Sequence, residues 1–252
     1  LTRHEDMAWT GKRHPYESRY KAGFDRRGRL IAYDVELNSN GGAYADLSMA
    51  ILERSMLHAD NAYQIPHARS VAHACRTNLP PNTAFRGFGA PQGIFVIESV
   101  MERIARTLKL DPVEVRRRNV YKEGQTTPYG QKVHEPCHPD LLRRLEKNAG
   151  YAALRREADA FNVKSRHLRK GIGVVPVKFG ISFTSAFLNQ ASALVWVYTD
   201  GTVSVSHGGI EMGQELNTKV AQVVSSVLGV TLDRLRVETS NTKRTGNASP
   251  TA

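Results

Sequence analysis

The sequence predicts an α+β fold built as two mixed α/β subdomains, with antiparallel hairpins packed by helices. Three observations predict it. Strand-like residues recur in 18–25 and 30–39 on either side of an Arg26-Arg27-Gly28 turn, Ile94, Ile97, Val100, Met101 and Ile104 recur at helical spacing, and a strand-rich pattern returns after the short basic stretch Lys164–Lys170. The change of character over 162–170 divides the chain into a first subdomain, 1–165, and a second, 166–252.

The elements follow in order. The first two strands form an antiparallel pair across the Gly28 turn. A helix runs from Pro91 to about Leu108, because proline suits a first helical turn, and another begins at Asp111-Pro112. Two more occupy Pro139–Lys147 and Tyr151–Phe161, with Gly150 ending the first. After the boundary, Ile172–Phe179 and Ala191–Tyr198 read as strands, and Asp200-Gly201 turns the chain into Val203–His207. A glycine-rich turn over 208–214 then leads into a helix at about 215–228, and Leu235–Glu238 is a last short strand.

At 252 residues, 40% hydrophobic and 23% charged, the chain can bury one large core or two smaller ones. No apolar run approaches the ~20 residues of a membrane span, and the first thirty residues are too charged for a signal peptide, so the expected setting is cytoplasmic, without a membrane partner. Cys75 and Cys137 show no CxxC spacing, which fits a reducing compartment. The formal charge of +11 would allow attraction to nucleic acid, but Arg116-Arg117-Arg118, Arg143-Arg144 and Arg155-Arg156 sit on helices that also carry acids. Solvated helix faces are expected there, with no nucleic-acid partner; a basic RNA-binding module is the alternative from another class. Both ends look cut: there is no initiator Met, and the chain stops at NASPTA without a closing element.

The stretch Asn82–Gly93, NTAFRGFGAPQG, places Arg86 with Phe85 and Phe88 inside a glycine-rich turn that opens a helix. Glycines allow left-handed backbone and close approach, while two phenylalanine rings need cover. The turn is either a packed loop or a ligand platform. The second glycine-rich turn, Gly208–Gln214, enters a helix and presents N–H groups suited to an anion. His134, Cys137 and His138 offer metal-ligand chemistry, but a closed zinc site needs four ligands and no second pair follows at suitable spacing.

NTAFRGFGAPQG, LERSMLHADNAYQIP at 52–66, KFGISFTSAFLNQ at 178–190, HGGIEMGQELNTK at 207–219 and SPTA at 249–252, taken together in this order, resemble the molybdenum-binding region of the xanthine dehydrogenase family. The likeness runs collinearly along the whole chain and implies an internal fragment: the C-terminal part of a first molybdopterin-binding subdomain and the start of a second. The implied reaction is oxidation of a purine, hypoxanthine or xanthine to urate, with water as the oxygen source. An aldehyde or another N-heterocycle is the alternative within the family.

The resemblance also implies roles. Arg54 matches the arginine aimed at the substrate's polar edge and is the catalytic candidate, with Thr184 beside it; Phe88 and Phe183 match rings flanking the substrate. On the residues alone, Arg54 would be a surface residue and Phe183 a core residue of a buried strand. Arg86 matches an arginine near the molybdenum, outside its ligand set, with Phe85 and Gly87 contributing to the cofactor site. Gly209, Met212, Gly213 and Gln214 match a pterin-cradling segment, and Ala252 begins another cofactor loop. Ala90 and Glu215 depart from the family by replacing common glycines.

Chemically, a guanidinium stays charged and can stabilise negative charge developing on a ring oxygen, while aromatic faces hold a flat heterocycle. By resemblance, the general-base glutamate lies beyond residue 252, and the 2Fe–2S clusters and FAD belong to other regions or subunits of an oligomeric enzyme. Glu53, Glu211 and Glu215 are not candidates for the base, and residues 1–252 alone are expected to be inactive.

Overall fold

A computed structural model describes residues 1–238, 240–241 and 243–245. The chain separates into two compact units, Leu1–Gly180 and Ile181–Ala252.

The first unit opens with α1 (Arg3–Trp9), a helix the sequence reading passes over. Thr2 Oγ1 accepts from Glu5 N at 3.4 Å and Glu5 Oε2 accepts from Thr2 N at 2.7 Å, a reciprocal cap that satisfies two helix-end donors. β1 (Tyr16–Phe24) and β2 (Leu30–Gly42) form the expected antiparallel pair. Their turn is shaped by Asp25 Oδ1, which accepts from Arg27 N and Arg29 N, and by Gly28 at φ +76. Alternate residues of β2, namely Tyr33, Val35 and Leu37, are buried.

α2 (Ser48–Leu57) then crosses over to β3 (His67–Arg76), which pairs parallel to β2. α3 (Ala90–Leu108) packs Ile97, Val100, Met101 and Ile104 into the core with Tyr33, Val35 and Leu37. Burial of each such apolar side chain contributes about 1.5–3 kcal/mol. Asp111 caps α4 (Pro112–Asn119) by accepting from Val113 N and Glu114 N. Asn119 then ties α4 to the first hairpin, its amide donating to Gly28 O and its oxygen accepting from Leu30 N, both at 2.8 Å. α5 (His138–Ala149) and α6 (Tyr151–Lys164) meet at Gly150, which is left-handed at φ +61.

Two expectations are corrected here. Ile172–Phe179 joins no sheet. Side chains bond parts of its backbone instead: Asn61 Nδ2 donates to Pro176 O at 2.7 Å and Lys178 N donates to Asn61 Oδ1 at 3.1 Å, and just beyond it Gly180 N donates to His58 Nε2 at 3.1 Å. These bonds lie within the first unit, which runs to Gly180. Arg116, expected on a solvated face, is buried, and its Nε donates to Glu98 Oε2 at 2.8 Å. Arg143 and Arg144 do face solvent, each paired with Asp140.

The second unit holds β4 (Ala193–Val197), β5 (Val203–His207), α7 (Leu216–Leu228) and β6 (Leu235–Val237). β4 and β5 are antiparallel across the Asp200-Gly201 turn, and β5 pairs parallel with β6. The order β4-β5-β6 repeats the pattern of β1-β2-β3: a hairpin, a helical crossover and a parallel third strand. Among the described residues no helix is long and apolar enough to cross a membrane.

Candidate functional site

The turn that begins α3 is built on close backbone approach. Gly87, Phe88 and Gly89 all have positive φ, at +91, +47 and +95. A Cβ at Gly89 would stand 2.1 Å from Ile51 O and 2.8 Å from Ser55 Oγ, so α2 and the turn can meet only over a glycine. Ser55 Oγ donates to Gly89 O at 2.9 Å across the same contact. For Phe88 the left-handed backbone is strained, a cost of order 1–3 kcal/mol that surrounding structure must offset. The ring itself is buried.

That turn places Phe88 beside the side chain of Arg54, which extends from α2. The guanidinium carbon lies 5.5 Å from the Phe88 ring centroid and 5.4 Å from that of Phe179, within the range of cation–π attraction. Arg54 is 1% exposed, which overturns the surface placement its local sequence suggests. Its Nη1 donates to Gly180 O. His58, one turn along, accepts from Gly180 N at Nε2, which leaves Nδ1 as the N–H that donates to Arg54 O at 2.8 Å. Burial pushes the His58 pKa down to about 4, with Lys178 and Arg54 adding to the effect, so the ring is neutral. Lys178 Nζ pairs with buried Asp60 at 2.6 Å, and Tyr121 OH donates to the same carboxylate at 2.6 Å.

On the outer side of the turn Phe85 is 49% exposed, and Arg86 is exposed as well. Arg13 lies 4.5 Å over the Phe85 ring and donates from Nη2 to Arg86 O at 2.6 Å. The two rings of the turn thus face different ways. Phe88 packs inward, while Phe85 and Arg86 present a basic, partly apolar surface.

In the second unit, Phe183 and Thr184 stand near the start. Phe183 N donates to Asn189 Oδ1 at 2.7 Å, and Thr184 Oγ1 is buried with no hydrogen-bond partner among the described residues. The Gly208–Gln214 turn corrects an expectation, because its donors are not open. Glu211 Oε1 accepts from Gly213 N at 2.8 Å and Glu215 N at 3.1 Å, and Oε2 accepts from Asn217 N at 3.3 Å. Gly209 N donates to His207 Nδ1, Met212 N to Gln214 Oε1, and the Gln214 amide to Ile210 O. Glu215 is left-handed at φ +59, a conformation that a glycine would adopt without strain. Ala252 and the SPTA stretch lie outside the described residues.

These residues fit an anionic organic cofactor. The Glu211 carboxylate stands in for a negative group at converging backbone N–H donors, and the orphaned Thr184 hydroxyl offers a polar contact without a protein partner. Among the described residues no group of three or more His, Cys, Asp or Glu side chains converges to hold a metal ion directly. The sequence reading missed His58, Phe179 and Arg13. A signal for the first existed in HADN, a polar run between α2 and an apolar segment, whose His58, Asp60 and Asn61 all bond to residues 176–180.

Two family models, both described as molybdopterin cofactor-binding domains, match residues 1–120 and 144–252. The whole chain is 48% identical to 18% of xanthine dehydrogenase 1 from Arabidopsis thaliana and 45% identical to 19% of nicotinate hydroxylase hnxS from Emericella nidulans. Among solved structures, aldehyde oxidoreductase from Desulfovibrio gigas matches 98% of this chain over 27% of its own, with a TM-score of 0.76 and 26% identity. The chain therefore spans about a fifth of the length of the curated relatives it matches.

Proposed function

This chain belongs to the xanthine dehydrogenase family, as part of its molybdopterin-binding region, and we propose from that premise that it forms part of the substrate and cofactor site of a purine-oxidising molybdenum hydroxylase. When bound, the molybdenum–molybdopterin group supplies a two-electron oxidation in which water provides the added oxygen. The chain's own residues bind, orient and stabilise. Arg54, held against Phe88 at 5.5 Å, carries the reading. A buried guanidinium beside an aromatic ring suits a flat heterocycle with a polar edge, and its fixed charge favours the state in which that edge becomes negative.

Phe88 and Phe183 are assigned to the substrate ring and Thr184 to its polar edge. Arg86, Phe85 and Gly87 are assigned to the cofactor near the metal, and Gly209, Met212, Gly213, Gln214 and Ala252 to the pterin. Glu211 must release the N–H groups it now caps if the pterin is to use them. A general-base glutamate outside residues 1–252, 2Fe–2S clusters, FAD, an oligomeric assembly and a cytoplasmic setting complete the proposal.

A second reading is oxidation of another N-heterocycle. The nicotinate hydroxylase relative supports it, because its identity, 45%, is close to that of the xanthine dehydrogenase, 48%. Turnover of the complete enzyme on hypoxanthine, nicotinate and an apolar aldehyde, with oxygen-18 water, separates the two. Labelled urate as the preferred product supports the purine reading, and preferential hydroxylation of nicotinate overturns it.

A further inference from the structure

We propose that His58 is a positioning residue for Arg54, holding the guanidinium in place through Gly180; this rests on the reading of Arg54 as the substrate-facing arginine. The hydrogen bonds form a closed circuit. Arg54 O accepts from His58 Nδ1 at 2.8 Å, His58 Nε2 accepts from Gly180 N at 3.1 Å, and Gly180 O accepts from Arg54 Nη1. One rigid ring therefore fixes the helix carbonyl of Arg54 and the loop residue its guanidinium bonds.

The chemistry of the position selects a neutral histidine. It needs a donor at one edge and an acceptor at the other, a combination that Phe, Leu and Lys cannot supply. Protonation would turn Nε2 into a second donor facing Gly180 N and would add charge beside Lys178 and Arg54, which already oppose it. The His58 ring also lies 5.3 Å from Phe179, the second ring beside the guanidinium, so one side chain positions both the cation and an aromatic neighbour. Asn61 and Asp60 brace the same loop from below: Asn61 bonds Pro176 O and Lys178 N, and Asp60 bonds Lys178 Nζ.

The test uses the complete enzyme at matched molybdenum content. His58→Phe, which keeps a ring and loses both nitrogens, is expected to lower kcat/KM for hypoxanthine by about 10²-fold, the penalty typical of a misplaced binding group. An apolar aldehyde, which offers Arg54 nothing to bind, should change little. Adding Arg54→Met to His58→Phe should cost no more than Arg54→Met alone, because the two residues act as a unit. His58→Gln, which can still accept from Gly180 N, should recover part of the loss and serves if the Phe variant does not fold. A crystal structure of the His58 variant should show the guanidinium away from Gly180 O. Equal losses on both substrates, or a guanidinium unmoved in that structure, would overturn the proposal. If Arg54→Met alone leaves purine turnover intact, the substrate reading of Arg54 fails, while the crystal structure still decides whether His58 holds it.

Discussion

Arg54 comes from α2 and Phe88 from the turn that opens α3, and their contact requires a glycine beside it: the guanidinium carbon stands 5.5 Å from the ring centroid because Gly89 lets the turn press against α2. Each residue is unusual alone, a buried arginine and a phenylalanine at φ +47. Together they carry the substrate contact proposed above.

Arg54→Met keeps much of the side chain's length and removes its charge. On the complete enzyme it should reduce hypoxanthine or xanthine turnover by ~10²–10³-fold, the usual loss for one group that stabilises developing negative charge. Turnover of an apolar aldehyde should fall less. Steady-state kinetics at equal molybdenum occupancy check this, and unchanged purine turnover would remove the main residue-level support for a purine substrate.

Gly89→Ala tests the packing beneath that pair. The new methyl would meet Ile51 O at 2.1 Å, and a backbone carbonyl inside a helix cannot step aside cheaply. A non-glycine residue at φ +95 adds left-handed strain. The sum should exceed about 2 kcal/mol, seen as a lower midpoint in denaturant unfolding.

Glu98 sits at a polar junction inside the first unit. It accepts from Arg116 Nε at 2.8 Å, Asn61 Nδ2 at 2.8 Å and Tyr63 OH at 2.5 Å. Glu98→Ala would strand the Arg116 guanidinium, whose side chain is 7% exposed, without its close partner. Breaking a buried pair from one side costs about 3–5 kcal/mol, so a large drop in thermal midpoint is expected. A drop within experimental error would mean that water or Glu102 replaces the pair.

α3 was legible because its apolar residues fall on one face, and the first hairpin because its turn combines Gly28 with capping by Asp25. α2 was not, since its buried face carries Ser48, Arg54 and Ser55, polar residues that find partners only in the tertiary structure. β3 reads poorly for the opposite reason: no residue along it is fully buried, so no alternation marks it. Residues 172–179 have the pattern of a strand but take backbone partners from the Asn61 and His138 side chains, which local sequence cannot announce. At the site, family resemblance suggested the significance of Arg54 and Phe88. The hydrogen-bond circuit through His58 became visible only once Gly180 was placed.

His58 gives a stability prediction with a defined pH window. Burial first, then the positive charges of Lys178 and Arg54, lower its folded pKa to about 4 from 6.5, against the opposing bond to Arg54 O. The unfolded chain therefore binds the proton first as pH falls. The stabilisation is complete above 6.5 and is lost as pH drops toward about 4. The thermal midpoint of the unsubstituted protein should fall more steeply across that window than that of His58→Gln, which has no proton to gain. Parallel curves would show that His58 does not titrate between the two states.

Glu211 gives the complementary test in the second unit. Desolvation by the surrounding loop pushes its pKa up, but bonds from Gly213, Asn217, Glu215 and Leu216 backbone N–H groups outweigh this and hold it below 4.5. A depressed folded pKa means that its stabilisation is present above the unfolded value and is lost as pH falls from about 4.5 through the lower folded value. Glu211→Gln keeps one acceptor and removes the charge at the start of α7, where a negative group is favoured. The variant should melt below the unsubstituted protein at pH 7, and the gap should close once the pH is taken well under 4.5. The same variant weakens the internal competitor for the N–H groups assigned to the pterin. Cofactor content after reconstitution should therefore rise, or hold, even though the loop is less stable. A gap independent of pH would show that Glu211 acts by shape alone, and a loss of cofactor would show that its carboxylate orders the turn for binding instead of occupying the place of the ligand.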